Sequence, residues 1–278
     1  MSPKTILVTG CSTGGIGAAI ALALANRSYH VYATARNTNR IPQELSELSN
    51  VTTLQLDVLS LTSINQAVES VQQSGRGLDI LVNNAGAGYA MPVLDINIEK
   101  AQRLYDINVW GPVRTIQAFS KLLIASQGRI VNMSTCGAAV NTPWIAAYCS
   151  SKAALTNMSE TLRLELGPLG VSVVTIMAGT VNSHFHDNDD ELQLPPNSLY
   201  VGIKDTINGW ATGELKPKGT SAENFAQTIL DDIVGSGKGG LVWKGPNAGA
   251  IKALAQFGPR FVAVSGLFYI PFHPLRIA

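Results

Sequence analysis

Charge is scarce in this chain and almost balanced. Charged residues fill 14% of the 278 positions, and 20 Lys and Arg against 19 Asp and Glu leave a formal net charge of +1. So small a balance gives no long-range field for a nucleic-acid backbone, and no such partner is expected. Cysteine is rarer still. Cys11, Cys136 and Cys149 form no CxxC pair and cannot all pair with one another, which suits a reducing compartment. Long apolar runs are missing as well, since none approaches the roughly 20 residues that span a bilayer. The first strand is read from Lys4, leaving no room for the apolar core and cleavage site of a signal peptide. An intracellular, cytoplasmic protein is therefore expected.

What the chain does have is apolar residues, 46% of the total, and a regular alternation of short and long apolar segments. KTILVTG (4–10), HVYATAR (30–36), VTTLQLDV (51–58), LDILVNNAG (78–86), GRIVNMST (128–135), VSVVTIMAG (171–179) and GLVWKG (240–245) read as strands. Between them lie helical sequences at 16–27, near 42–48, at 62–74 with Thr62 as cap, at 148–167 and at 221–235. Strands apolar throughout and separated by helices imply a parallel sheet covered on both faces. Right-handed crossovers make it an α/β doubly wound, Rossmann-type, mainly parallel seven-stranded sheet in a single domain. Residues 1–245 are assigned to it, with an apolar C-terminal extension at 246–278.

TGCSTGGIG (9–17) follows the first strand and opens the first helix, the context of a dinucleotide-binding turn. Glycines there let backbone N–H groups approach a pyrophosphate at a positively polarised helix end. Gly10, Ser12, Thr13, Gly15, Ile16 and Gly17 are the expected contacts. A cofactor that is an NAD-type ribose is met by an Asp or Glu about 20 residues after the glycines. Here the second strand ends in Arg36, which suits a 2′-phosphate and leaves a free 2′-hydroxyl without its carboxylate. NADPH/NADP+ is therefore the expected cofactor, with Ser12 and Thr13 adding hydroxyls to the same phosphate.

Tyr148-Cys-Ser-Ser-Lys152 opens the long helix after the fifth strand, and Ser134 ends that strand. A free tyrosine titrates near 10. A lysine one helical turn away favours the phenolate and brings the proton within reach of neutral pH. No metal site is read: His184, His186 and Asp187 lie in an acidic, loop-like stretch without a structured second pair. Cys136 and Cys149 flank these residues and are read as small buried thiols.

These motifs, in this order, resemble the short-chain dehydrogenase/reductase family over roughly residues 4 to 245. The family's usual glycine turn is TGxxxGxG. In this chain Gly15 fills an extra place between Gly14 and Ile16, so the loop is expected to be one residue longer, with positive φ at Gly14 or Gly15. The resemblance implies Asn108, Ser134, Tyr148 and Lys152 as catalytic and puts Asn108, Tyr148 and Lys152 at the cofactor too, with Lys152 on the nicotinamide ribose and Asn108 holding a water that links Lys152 to solvent. It places Asp57, with Val58 beside it, at the adenine, and Asn84, Ala85 and Gly86 on the adenosine side. The family's PGxVxT is here Ala178-Gly179-Thr180-Val181-Asn182-Ser183, which puts Val181 and Ser183 at the carboxamide.

The implied activity is reduction of an apolar ketone, or the reverse oxidation of an alcohol, by a homo-oligomer (dimer or tetramer). A cofactor-binding partner with idle chemistry is the other reading. Met91, Trp144, Met177, Phe185, Tyr200 and Trp210 are candidate pocket walls. Together with TGCSTGGIG and ATAR, the apolar, Pro-broken tail resembles the fungal branch related to acyl-dihydroxyacetone-phosphate reductases, whose members take lipid-like ketones or secondary-metabolite intermediates. That tail has three expected places: over the pocket, at a subunit interface, or against lipid headgroups of the endoplasmic reticulum or lipid droplets.

Overall fold

The computed structural model describes residues 3–183, 185 and 192–258. The chain runs β1 (Thr5–Thr9), α1 (Ile16–Asn26), β2 (His30–Ala35), α2 (Gln43–Ser46), β3 (Val51–Gln55), α3 (Leu61–Gln73) and β4 (Ile80–Asn83). Next come α4 (Ile98–Tyr105), α5 (Gly111–Ala125), β5 (Arg129–Thr135), α6 (Ala146–Leu166) and β6 (Ser172–Ala178). The two-residue strands β7 (Val181–Asn182) and β8 (Thr220–Ser221) enclose α7 (Lys204–Ala211). α8 (Ala222–Val234), β9 (Gly239–Lys244) and α9 (Ala248–Phe257) complete the order.

Seven strands pair in parallel in the order β3-β2-β1-β4-β5-β6-β9. Every residue of β1 is buried, because helices cover both faces and leave no polar side for alternation. Ile6 and Val8 point to a core shared with Ile20, Leu24, Phe225 and Ile229 of α1 and α8. Leu7, between them, points the other way, to a core with Ile64 of α3 and Phe119 and Leu123 of α5. The two cores belong to one domain. From β1 the chain winds outward through β2 and β3, then returns to β4 on the other side of β1. This reversal opens a crevice at the carboxyl ends of β1 and β4, where open α/β sheets bind ligands.

Local chemistry corrects several boundaries. α3 begins at Leu61, and its cap is Ser60, whose Oγ accepts from the Ser63 N–H at 3.2 Å, rather than Thr62. The small β7–β8 pair was not expected: two residues carry no periodicity to read. α9 packs Ala248 and Ile251 against Cys136, Val140 and Trp243, so the extension begins as a helix on the same domain. Among the described residues no helix is long and apolar enough to cross a membrane. Of the substrate lid that the family resemblance implies at about 184–220, residues 184 and 186–191, including His184, His186 and Asp187, lie outside the described residues, as does the tail from 259.

Candidate active site

The glycine turn is a backbone cradle braced from below. Gly14 has φ +72°, and Gly15 has φ −89° as the residue preceding α1. The extra residue is thus absorbed at Gly14 by a left-handed conformation that a side chain would strain. A Cβ on Gly17 would lie 2.4 Å from both Gly10 O and Asn84 Nδ2, so only glycine lets α1 start this close to β1. The Thr9 hydroxyl accepts from the Asn84 and Ala85 N–H groups at 3.0 Å each. Asn84 Nδ2 donates back to Thr9 O and Gly10 O at 3.0 and 3.2 Å. Asn84, expected at the adenosine, therefore spends its amide on holding the loop.

Thr13 departs from expectation too. Its N–H and its hydroxyl both donate to Arg40 O, at 2.8 and 2.9 Å, so its hydroxyl is already committed. The bonds fasten the turn Thr38–Arg40 to the glycine loop. Arg36 and Arg40 are both exposed, and neither has a carboxylate within ion-pair distance among the described residues. Arg40 was not singled out from sequence, because its proximity depends on this non-local pair of bonds. Asp57 is half-buried, with Oδ1 accepting from the Leu59 N–H at 3.0 Å, and Val58 is buried. Val181 and Ser183 stand half-buried in and just after β7.

Across the crevice, Asn108 is fully buried in a π-helical turn, Asp106–Trp110. Its Oδ1 accepts from the Ala87 N–H at 2.9 Å, and its Nδ2 donates to Ala87 O at 2.9 Å and Ser151 Oγ at 3.0 Å. Both amide hydrogens are used, so a water held by Asn108 must take a carbonyl oxygen. Lys152 is 5% exposed and donates from Nζ to Met133 O at 2.9 Å. Burial pushes its pKa down from 10.5 to about 8. A Cβ added to Gly86 would lie 3.2 Å from Asn108 Oδ1 and 3.4 Å from Lys152 Nζ, so the three residues meet. Tyr148 is half-buried one helical turn from Lys152.

Ser134 reaches this group through the Lys152 backbone. It is 5% exposed, and its Oγ lies 2.7 Å from Thr156 Oγ1 and donates to Lys152 O at 3.3 Å. Thr156 is eight residues beyond Tyr148 on α6, a rise of about 12 Å. Strand alternation explains the placement: Ser134 shares its face with Asn132, which donates to Ser159 Oγ of the same helix at 2.8 Å. Thr135 is the next residue, half-buried at the mouth of the sheet, and was not singled out from the sequence. Its hydroxyl accepts from the Gly137 N–H at 3.2 Å and reaches Ala178 O only at 3.4 Å. A Cβ on Gly137 would touch Thr135 Cγ2 at 3.5 Å and Cys149 Sγ at 3.2 Å, so Thr135 borders the first turn of α6.

Met91, Trp144, Tyr200 and Trp210 gather with Leu192, Ile203 and Ile207 in one apolar cluster beneath α7. Met177 is instead core, accepting a weak bond from Thr156 at 3.9 Å. Phe185 rests on Tyr148, ring centroids 5.7 Å apart. Burial pushes Cys11 and Cys136 up to about 12 and Cys149 to about 11, which keeps all three as thiols near neutral pH.

Comparison with known proteins supplies the frame for this geometry. Residues 4–193 match the model of the short chain dehydrogenase family. The chain belongs to that family. This dehydrogenase is 41% identical over 268 residues to a short-chain dehydrogenase of Penicillium crustosum, covering 96% of this chain and 97% of the relative. It is 36% identical over 240 residues to an NADPH-dependent 1-acyldihydroxyacetone phosphate reductase of Schizosaccharomyces pombe, covering 84% and 80% of the two chains. Among solved structures, a short-chain dehydrogenase of Streptomyces avermitilis superposes with a TM-score of 0.78 at 25% identity, over 90% of each chain. One from Burkholderia cenocepacia, in complex with NADP, gives 0.74 at 23% identity over 94% and 97%, a likeness of fold.

Proposed function

We propose that this dehydrogenase uses NADP(H) to interconvert an apolar ketone and its secondary alcohol, with ketone reduction as the forward direction. The observation that carries the reading is the meeting of Lys152, Asn108 and Gly86 one helical turn from the Tyr148 phenol, beside the glycine cradle. The residues fit the cofactor: the cradle excludes Cβ atoms at Gly15 and Gly17, and Arg36 and Arg40 offer guanidinium groups to a 2′-phosphate. The Burkholderia neighbour in complex with NADP and the NADPH-dependent Schizosaccharomyces relative support that choice. When bound, the nicotinamide supplies the hydride.

The protein handles the proton. Tyr148 gives its phenolic hydrogen to the carbonyl oxygen as negative charge develops there. Lys152 is mainly cationic below pH about 8 and stabilises the phenolate left behind. A neutral hydroxyl at the mouth of β5 can donate to the same oxygen. With Ser134 turned into the α6 interface, Thr135 takes that role. Thr135→Val is expected to lower kcat about 100-fold with KM changed far less. Ser134→Ala is expected to leave kcat within a few-fold and to cost about 1 kcal/mol of stability. Steady-state kinetics and thermal melts of both variants check the assignment, and the opposite pattern returns the role to Ser134.

Loss of NADPH absorbance with a panel of ketones tests the activity itself. Tight NADPH binding without turnover of any ketone would replace this reading with that of an idle cofactor-binding partner. The cofactor preference has its own expected result. Arg36→Ala combined with Arg40→Ala should weaken NADPH binding about 10- to 100-fold and leave NADH within about twofold, since each guanidinium offers a charge-assisted bond to the 2′-phosphate that NADH lacks. Titration calorimetry with both nucleotides decides it, and equal losses for the two would show that the arginines do not read the phosphate.

A further inference from the structure

The phenol of Tyr148 carries a second ring against it. Phe185 is half-buried two residues after Ser183, with its ring centroid 5.7 Å from that of Tyr148 and the planes inclined at 60°. This is the tilted arrangement that aromatic pairs prefer. Trp144 stands just before α6 and belongs to the apolar cluster of Met91, Ile207 and Trp210, with Met91 N–H donating to Trp144 O at 2.6 Å. Phe185 stands against the phenol ring itself. A carbonyl oxygen that accepts the phenol's hydrogen lies about 2.7 Å beyond the Tyr148 hydroxyl. The groups attached to that carbonyl then come within reach of the Phe185 ring.

We infer that Phe185 is a specificity-determining residue that selects ketones whose carbonyl is conjugated to a flat ring. The inference rests on the proposed reduction at Tyr148 but adds what that reading leaves open, the shape and electronic character of the substrate. A flat, conjugated group can meet the Phe185 ring in the offset or edge-on contacts that stabilise aromatic pairs beyond simple burial. A saturated ring of equal carbon count gains only the burial. Phe185 reaches the reacting centre through Tyr148, so its removal bears on binding of the carbonyl's substituent and leaves the proton donor in place.

Acetophenone and cyclohexyl methyl ketone form the probe pair, one planar and conjugated, the other saturated, with the same carbon skeleton. Each is titrated calorimetrically into the full chain saturated with NADP+, so that binding is read without turnover, and kcat/KM is then measured with NADPH. Wild type is expected to favour acetophenone about five- to tenfold in both readouts. Phe185→Leu keeps apolar bulk and should bring the ratio to about one, mainly through acetophenone affinity, while Phe185→Tyr should retain it. Equal binding of the two ketones by wild type, no binding of either, or an unchanged ratio in Phe185→Leu overturns the inference. A binding ratio that collapses in Phe185→Leu, with neither ketone reduced by wild type, upholds Phe185 and overturns the proposed activity instead.

Discussion

Tyr148→Phe is expected to lower kcat for ketone reduction about 10³-fold, the middle of the range for loss of a positioned general acid. The substitution removes one oxygen and little else. The ring that Phe185 rests on remains, the helix keeps an aromatic residue in its first turn, and Lys152 keeps its bond to Met133 O. NADPH affinity should therefore stay within about threefold, because the cradle lies on other elements. Stopped assays over long incubation would measure the residual rate, and titration calorimetry the affinity. A variant reducing ketones at the wild-type rate would remove Tyr148 from the mechanism.

Lys152→Met should abolish most activity and yet make the folded protein more stable near neutral pH. Burial lowers the Lys152 pKa from 10.5 to about 8, an interval equivalent to about 3 kcal/mol spent holding a cation away from water. Met fills similar volume without the charge. It gives up the bond to Met133 O, worth about 1 kcal/mol. A net gain of about 2 kcal/mol, or a rise of several degrees in Tm, is expected at pH 7 in the absence of cofactor. The sign across pH follows from the unfolded chain holding its proton longer than the folded one. The cost is full below pH about 8, shrinks as pH rises, and has gone above 10.5. Melts of the two proteins should therefore favour Lys152→Met at pH 7, and at pH 10.5 leave it level with or slightly below the wild type, which keeps its bond to Met133 O. Lower stability of Lys152→Met at pH 7 would mean that Lys152 is stabilised by its surroundings and not strained by them.

Most of the architecture was legible because it rests on local apolar pattern. TILVT and IVNM read as strands buried on both faces, and the Ala- and Leu-rich 16–27 as a helix. The inserted glycine was legible as a backbone problem, and Gly14 solves it with φ +72°. Residue roles at the site were less so. Ser134 and Thr135 are adjacent hydroxyls at a strand end. Which one meets α6 depends on the pleat, and a shift of one residue reverses the answer. The commitment of Thr13 to Arg40, and of Asn84 to Thr9 and Gly10, arises from contacts 27 and 74 to 75 residues apart in the chain. No local pattern records such pairs. Met177 looked like a pocket wall by composition and proves to be core, since β6 is covered on both sides.

The turn Cys136–Ala138 follows Thr135 directly, and Cys136 packs against Ala248 and Ile251 of α9. The C-terminal helix is thus a buttress for the strand end that presents the proposed hydroxyl donor, although the sequence places it beyond the catalytic fold. Force or bulk applied through α9 is delivered to Thr135, whereas β1 begins at Thr5 on the amino edge of the same sheet, at the opposite end of the strands. A fusion, tether or surface attachment made through the start of the chain would leave the catalytic edge undisturbed. One made through α9 would act as a handle on it.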